Sequence, residues 1–418
     1  MENSEKAKSK LWLQRLKDES WEAELLVSAV AVFGTFKLFV IINWITNVFI
    51  NILNPKLYSF AFLIVFFGLF GISILAAMFV IHFCLRAYWI GLVGLNSVFP
   101  DYSIEDSAYS KIYTEKIVSV LPKVKDSIEK VDELCSVIFS VAFTFLLIYT
   151  NTAIIFSIYL FVYNGLIDSV PSYLLLIPIY AFIAILIIQT VIGILANLKI
   201  NHNKAKLQII AFKTNKIASI IMFGPLNKSI LQISMVFGSN FKKKKKLVYL
   251  LIVFLIFGSL VASYQMKNTN IDYMANNSRY FKKTIISPTF YKTNNENNDY
   301  LLNPEIDADI ITKKLLKVFI PIFKYEHKTL AKLCGHDNKK LSKAESNEAN
   351  RICYTEYLTV KVNENTISPD YLTVKHERTN QLGAVFYLKT EKFKGGKNII
   401  SISKKENPFW EFPFFLEK

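Results

Sequence analysis

The segment KKKKKLVYLLIVFLIFGSLVASYQM, residues 242–266, decides the fold. Five lysines stand directly before 20 residues without a charge, Leu247–Met266. A helix rises about 1.5 Å per residue, so roughly 20 apolar residues cross the hydrocarbon core of a bilayer. Lysines beside such a helix favour its cytoplasmic end. The segment therefore predicts a membrane helix that begins in the cytoplasm and carries the following residues outward.

Four earlier segments have a similar character. Leu57–Ile81, Leu134–Tyr163 and Ser172–Leu198 run for 25, 30 and 27 residues without a charge. Residues 25–53 are interrupted only by Lys37. Buried helices of soluble proteins seldom run so long without a charge. We therefore predict a membrane domain over 25–266 with five spanning helices, at about 25–53, 57–81, 134–163, 172–198 and 247–266.

The tract 207–241 is harder to assign. It is apolar only in pieces, because three lysines interrupt it and Gly224-Pro225 breaks it. A spanning helix would carry Lys228 near its middle only at a cost in free energy. Two interpretations remain open, amphipathic helices in the plane of the membrane or a re-entrant hairpin. In both interpretations the tract does not cross.

The basic residues of the connecting segments predict the orientation. Five Lys or Arg lie in 1–24, six in 82–133 and eleven in 199–246, against one in 54–56 and none in 164–171. Positive loops favour the cytoplasmic side, so residues 1–24 form a cytoplasmic tail and the C-terminal region is exported. A single crossing by 207–241 would place the five lysines outside. The orientation therefore also argues that this tract does not cross.

The region 267–418 is more polar and shows strand patterns. YLTVKVNENTI alternates apolar and polar residues, with a turn at Asn363–Asn365, and AVFYLKTEKFKGGKNIISIS predicts two strands around Gly395-Gly396. FWEFPFF is typical of a closing strand or an amphipathic edge. Alternation between turn residues indicates an antiparallel, half-buried sheet. We therefore predict a β-rich, sandwich-like extracytoplasmic domain after an α-helical multi-span membrane domain.

Two cysteines lie in the predicted exported region. Cys334 and Cys353 are 19 residues apart, and outside the cytoplasm a disulfide between them would contribute about 3 kcal/mol. The alternative is two free, buried thiols. Cys84 and Cys135 lie in membrane or cytoplasmic positions, where packing is their expected role.

The first span carries a polar stripe. Asn43, Asn47 and Asn51 are spaced four residues apart and therefore share one helix face, and Lys37 precedes them in the same span. The functional interpretation is a polar path for transport, with Lys37 paired to Glu22 or Glu24. In the simpler interpretation, Lys37 lies at the cytoplasmic interface and the asparagines pack between helices. The same simple explanation, interhelical hydrogen bonding, covers the deep polar residues Asn151 and Gln189.

Several basic residues are placed to meet anionic lipid. His82 and Arg86 lie one turn apart on one helix face, where lipid phosphate, a vestibule or membrane-edge anchoring would each explain them. The tract 199–246 contains no Asp or Glu and supplies most of the net charge of +16. Anionic lipid suits it better than nucleic acid, because membrane helices hold both its ends at the headgroups. The candidate lipid contacts are Arg86, Lys242, Lys243, Lys244, Lys245 and Lys246.

No motif for a hydrolase, kinase, nucleotide or metal site is visible, and no cofactor is implied. We therefore expect a non-enzymatic protein of the bacterial cytoplasmic (inner) membrane. Its expected role is an envelope anchor, scaffold or complex subunit that presents a periplasmic β-domain to a protein partner, with a homo-oligomer left open. A transporter or channel subunit that uses the polar stripe is the alternative. A lipid enzyme would need the acids Asp101, Glu105 and Asp106 near the second span.

Overall fold

The computed structural model describes residues 2–100, 109–167, 169–240, 244–275, 288–294, 299–334, 352–405 and 409–417. Within these ranges, it describes only the backbone of residues 2–20, 172, 234, 237–240, 244–248 and 334.

The N-terminal part of the chain is helical. Its helices are α1 (Glu2–Ile52), α2 (Tyr58–Val98), α3 (Lys111–Val120), α4 (Val124–Leu166), α5 (Ser172–Asn197), α6 (Ala205–Phe223), α7 (Asn227–Asn240) and α8 (Lys244–Met266). The charged residues 125–133 continue without a break into the apolar part of α4. Because apolar residues face all sides of these helices, they resemble helices that meet lipid rather than water.

Six helical stretches of the described residues are long and apolar enough to cross a membrane. They are Trp21–Ile52, Pro55–Val98, Lys111–Leu166, Tyr173–Asn197, Ala205–Ile233 and Tyr249–Met266. Five of them overlap the predicted spans, and the sixth falls in the tract predicted not to cross. The helical character of this part of the chain is thereby confirmed and is compatible with a multi-span membrane protein. The number of crossings and the orientation stay predictions.

The chain divides into two compact units. The helical unit contains residues 1–43 and 63–269, and the sheet unit contains residues 44–62 and 270–418. The sheet unit therefore includes the end of α1 and the start of α2, which the sequence assigned to the membrane domain. We call the segment Trp44–Phe62 the hairpin tip.

Within the helical unit, α4 and α8 both run antiparallel to α2. Arg86 of α2 contacts Asp132 of α4, Phe79 contacts Phe143, and Gly71 contacts Tyr149, so the residue numbers fall on one helix as they rise on the other. Gly258 of α8 packs on Ile74, while Leu250 packs in the cluster that contains Phe79. The first residues of α8 are therefore level with the Arg86 end of α2.

The segment of α6 and α7 begins and ends at this same end of the helical unit. α5 runs antiparallel to α4, because the Tyr159 hydroxyl donates to the Leu175 carbonyl across the short loop between the two helices. The end of α5, and with it the start of α6, therefore lies towards the Asp132 end of α4. Only three residues separate α7 from α8, a reach of at most about 14 Å. The chain turns at Gly224, whose φ of +49° suits glycine. Asn151 Nδ2 donates to the Met222 carbonyl at 2.8 Å and fixes the turn part-way along α4.

The interhelical hydrogen bonds predicted for the deep polar residues are confirmed. Asn151 caps α6 by satisfying one of the carbonyls that a helix end leaves without a partner. Gln189 Nε2 of α5 donates to Asn215 Oδ1 of α6 at 3.1 Å.

The sheet unit contains two sheets. Its strands are β1 (Glu305–Ile306), β2 (Ile310–Ile311), β3 (Leu315–Pro321), β4 (Leu358–Val362), β5 (Asn365–Ile367), β6 (Leu372–Lys375), β7 (Leu382–Lys389), β8 (Gly396–Lys404) and β9 (Phe409–Leu416). One sheet has the order β1-β3-β7-β6 and the other β2-β9-β8-β4-β5. All pairs are antiparallel except β2 with β9. Two short helices, α9 (Ile271–Ala275) and α10 (His327–Cys334), accompany them.

The strand and turn predictions for this region are confirmed. Asn363 and Glu364 both have positive φ, 49° and 69°, as a two-residue hairpin turn between β4 and β5 requires. FWEFPFF forms most of β9. Pro413 is tolerated there because β2 pairs only with Phe415 and Leu416, which leaves β9 an edge strand at Pro413.

Both sheets contribute to one hydrophobic core. Val318 and Phe386 of the first sheet and Val360, Ile400 and Phe412 of the second are buried in one cluster. β4 alternates buried and exposed residues, which is the pattern of a strand with one face on a core. A C-terminal sheet region is therefore confirmed, while its sandwich character stays a prediction.

Candidate functional site

The hairpin tip is a tight helical turn. α1 ends at Ile52, and Asn54 caps the 3₁₀ turn Pro55–Leu57 by accepting from the Lys56 N–H at 3.0 Å. Pro55 suits the first position of this turn because it has no N–H to satisfy. The Tyr58 hydroxyl then donates to the Ile50 carbonyl at 2.8 Å and closes the turn.

Two asparagines bond the tip to the rest of the sheet unit. Asn47 Oδ1 accepts from Asn270 Nδ2 at 2.8 Å, and Asn51 Oδ1 accepts from the Lys324 N–H at 3.0 Å. Asn47 and Asn51 lie one helical turn apart, so both face the same surface. The tip is therefore held at two points, one just after α8 and one before α10.

Tyrosines fill the space beside these hydrogen bonds. The ring centroid of Tyr58 lies 6.0 Å from that of Tyr273 and 6.5 Å from that of Tyr325. Tyr325 stacks on Phe323, which in turn stacks on Tyr300. Burial, with the nearby Glu326 carboxylate, raises the pKa of Tyr325 and Tyr300 well above the ordinary value for tyrosine. The tip is thus embedded in a cluster from which water is largely excluded.

A buried ion pair lies beneath this aromatic cluster. Lys404 is 0 % and Glu326 2 % exposed, and Lys404 Nζ lies 2.7 and 3.0 Å from the two Glu326 oxygens. The ammonium also donates to the Pro321 carbonyl at 2.8 Å and lies 5.2 Å from the Phe323 ring centroid. Burial lowers the pKa of Lys404, and the Glu326 charge opposes part of that shift. With all three ammonium donors used, the pair is a structural anchor rather than an accessible reactive group.

A second ion-pair cluster joins β1 to the turn between β6 and β7. Glu305 accepts from His376 Nε2 at 3.0 Å and from Arg378 at 2.6 Å. Burial would raise the pKa of Glu305, but the bonds from His376 and Arg378 outweigh it and hold this pKa below 4.5. Thr379 lies 3.3 Å from His376 Nδ1 and accepts from the Gln381 N–H.

The order of Glu305, His376 and Thr379 is that of a catalytic triad. These contacts nevertheless close a local turn, and Arg378 binds the same carboxylate, so the arrangement is explained by the turn itself. Among the described residues no group of three or more His, Cys, Asp or Glu side chains is placed to hold a metal ion.

The helical unit contains a three-helix charge cluster. The Arg86 guanidinium of α2 donates to Glu24 of α1, and it donates to Asp132 of α4 at 2.6 Å. Arg86 is only 1 % exposed, and its guanidinium carbon Cζ lies 5.0 Å from the Trp89 ring centroid. Arginine suits this position because its planar fork binds two carboxylates at once. The cluster therefore joins α1, α2 and α4 at one end of the unit, and we call it the clasp.

A histidine lies one turn from this clasp. Ser28 Oγ donates its single hydrogen to the Glu24 carbonyl at 2.6 Å and lies 2.7 Å from His82 Nδ1. His82 Nδ1 must therefore be the donor to Ser28, which leaves Nε2 unprotonated in the neutral ring. Within the described part of the chain, Nε2 is buried without a hydrogen-bond partner.

The four residues of the polar stripe separate in the structure. Asn47 and Asn51 bind within the sheet unit, while Lys37 and Asn43 belong to the helical unit. Lys37 is exposed, and Glu24, its suggested partner, binds Arg86 instead. Asn43 Oδ1 is buried without a partner among the described residues. The path along these four residues stays a prediction.

Of the six candidate lipid contacts, only Arg86 has a described side chain. Arg86 is buried with two carboxylates, which does not favour a contact with lipid phosphate. The side chains of Lys242, Lys243, Lys244, Lys245 and Lys246 lie outside the described residues, as do Asp101, Glu105 and Asp106.

Cys353 is disulfide-bonded, while Cys84 and Cys135 are free. The side chain of Cys334 is not among those described, so its pairing with Cys353 stays a prediction.

Sequence reasoning missed the partners in these clusters. Lys404 and Glu326 were not singled out, although Lys404 stands at an inward position of an alternating strand, IISISK, which was a usable signal. His82 and Arg86 were singled out as a pair on one face. The partners of Arg86, Glu24 and Asp132, and the partner of His82, Ser28, lie on other helices, and nothing in local spacing identifies them.

Comparison with known protein families, with curated proteins and with solved structures found no match to this chain.

Proposed function

We propose that this protein is a non-enzymatic membrane anchor that presents its C-terminal sheet region to a protein partner. One observation carries this proposal: the hairpin tip is built into the sheet unit through Asn47, Asn51 and Tyr58. The chain therefore enters the sheet unit at the end of α1, leaves it at the start of α2 and enters it again after α8. A sheet region joined to apolar helices at three points of the chain suits a membrane-anchored scaffold or a subunit of a complex.

The membrane location is supported by composition and by charge. Six helical stretches are long and apolar enough to cross, and basic residues concentrate in alternate connecting segments. We propose the bacterial cytoplasmic membrane, with residues 1–24 in the cytoplasm and the sheet region outside. Because the α6–α7 segment begins and ends at the Arg86 end, we propose that it is a re-entrant hairpin and that five helices cross.

The alternative function, transport along the polar stripe, makes a different demand on the same residues. A path needs Lys37 and Asn47 to act together, whereas an anchor needs only Asn47. Asn47→Leu removes the acceptor for Asn270, and Lys37→Leu removes an exposed charge from the same helix. The two variants therefore form a matched pair.

The test compares these variants in cells and after purification in mild detergent. We expect Asn47→Leu to weaken co-purification of the partner and Lys37→Leu to leave it unchanged. Ion or solute flux into vesicles should be the same for both variants and the parent. A loss of flux in both variants would refute the anchor and support transport. Periplasm-specific reporters should be active after Lys418 and silent after Lys246, and the reverse pattern would overturn the orientation.

A further inference from the structure

A cavity of about 190 Å³ lies within the helical unit, between α4, α5 and α6. α4 contributes Thr152, Ile155, Phe156 and Tyr159, α5 contributes Pro178, Ile179 and Phe182, and α6 contributes Ile221 and Met222. The cavity is partly open. Its lining is almost entirely hydrocarbon and aromatic.

Backbone features keep this space from closing. Pro178 lies inside α5, where it has no N–H to donate to the helix ladder. α6 stops at Phe223, and Asn151 binds the Met222 carbonyl, so α6 cannot slide along α4. The gap therefore lies between the proline-containing part of α5 and the capped end of α6.

The polar groups of the lining are already used. The Thr152 hydroxyl donates to the Ile148 carbonyl at 2.8 Å, and the Tyr159 hydroxyl donates to the Leu175 carbonyl. A water molecule needs two to four polar partners, and these two hydroxyls have no hydrogen left to donate to it. An apolar cavity of about 150 Å³ stays dry and takes up benzene or xenon. The present cavity is slightly larger and has the same chemistry.

We propose that this cavity binds the end of a lipid acyl chain. The proposal rests on the membrane location proposed above, because the three lining helices are then surrounded by lipid and the bilayer supplies the apolar ligand. By comparison with the benzene-sized cavity, the space holds on the order of six to eight carbons. The opening of the cavity lets the rest of the chain continue into the bilayer.

The experiment uses the full chain in vesicles that contain a phospholipid with a photoactivatable diazirine near the end of one acyl chain. After illumination, mass spectrometry locates the adducts. We expect them to concentrate on Phe156 and Met222. Ile179→Trp fills the cavity, and Ile177→Trp makes the same change on an exposed position of the same helix. Filling the cavity should remove the contacts of about two methylene groups of the acyl chain. Cavity adducts should therefore fall about tenfold in Ile179→Trp and stay unchanged in Ile177→Trp.

A second filling variant, Met222→Trp, approaches the cavity from α6 and should give the same loss if Ile179→Trp does not fold. Adducts spread evenly over the exposed faces of α4, α5 and α6, or cavity adducts unchanged by both fillings, would overturn the proposal. A protein that does not enter the vesicles at all would give no adducts anywhere. That result would refute the membrane location and is distinguishable from failure of the cavity alone.

Discussion

Replacing Lys404 by methionine tests the buried ion pair of the sheet unit. The variant keeps most of the side-chain volume but leaves the Glu326 carboxylate, 2 % exposed, without its cation. Glu326 keeps one hydrogen bond, from the Phe323 N–H at 3.0 Å. Removing one partner of a buried ion pair costs about 3–5 kcal/mol. The sheet unit should therefore open about a hundred to several thousand times more often, at tenfold per 1.4 kcal/mol.

Hydrogen–deuterium exchange of the full chain in detergent measures this opening directly. Amides of β8 and β9 report the effect, because Lys404 ends β8 and its neighbour Trp410 lies in β9. Lys361→Met is the matched control, since Lys361 is exposed on the adjacent β4. We expect that control to change stability by less than about 0.5 kcal/mol.

The double variant Lys404→Met with Glu326→Gln separates charge burial from packing. Glutamine keeps an acceptor for the Phe323 N–H but carries no charge, so the double variant should regain most of the lost stability. The reasoning is wrong if Lys404→Met costs less than about 1 kcal/mol, which is within the range of surface pairs. It is also wrong if the double variant is no more stable than Lys404→Met.

Three further predictions concern other clusters. Because the pKa of Glu305 lies below 4.5, its contribution to stability should be complete above about pH 4.5 and be lost as pH falls through the lowered pKa. The difference in exchange between the parent and Glu305→Gln, measured at each pH, should show this loss, and a constant difference would contradict it. Gly258→Ala should destabilise the helical unit by about 1–3 kcal/mol in thermal unfolding, since its Cβ would meet Ile74 backbone, whereas Gly34→Ala has open space and should not. Arg86→Met should lower the free energy of unfolding by about 3 kcal/mol, because it leaves two carboxylates without their cation. Neutralising Glu24 and Asp132 as well should restore that stability. A triple variant no more stable than Arg86→Met would refute the role given to the three-helix charge cluster.

The sequence predicted the helices and several strands because their signals are local. The uncharged runs indicated helices without knowledge of any partner, and the turn at Asn363–Asn365 followed from residue types that accept positive φ. β3 was missed, because it is buried along most of its length and therefore lacks the alternation that identified β4.

The candidate sites were predicted only in part. The stripe of Asn47 and Asn51 was recognised, but the interpretation as a path could not anticipate that both amides bind distant segments of the sheet unit. Similarly, His82 and Arg86 were placed on one face, while the transport interpretation offered Glu22 or Glu24 as a partner of Lys37, and Glu24 binds Arg86. The spacing of residues along one helix shows which side chains share a face, but it does not show which other helix packs against that face.

The sequence alone determined the division into an apolar helical part and a strand-rich part, because burial and backbone preference are set residue by residue. It also determined the charge asymmetry that predicts orientation. Only the tertiary structure decided that the hairpin tip belongs to the sheet unit, that Lys404 meets Glu326, and that Arg86 meets two carboxylates. These contacts join residues up to 273 positions apart, and their formation depends on the register between packed elements rather than on any local pattern.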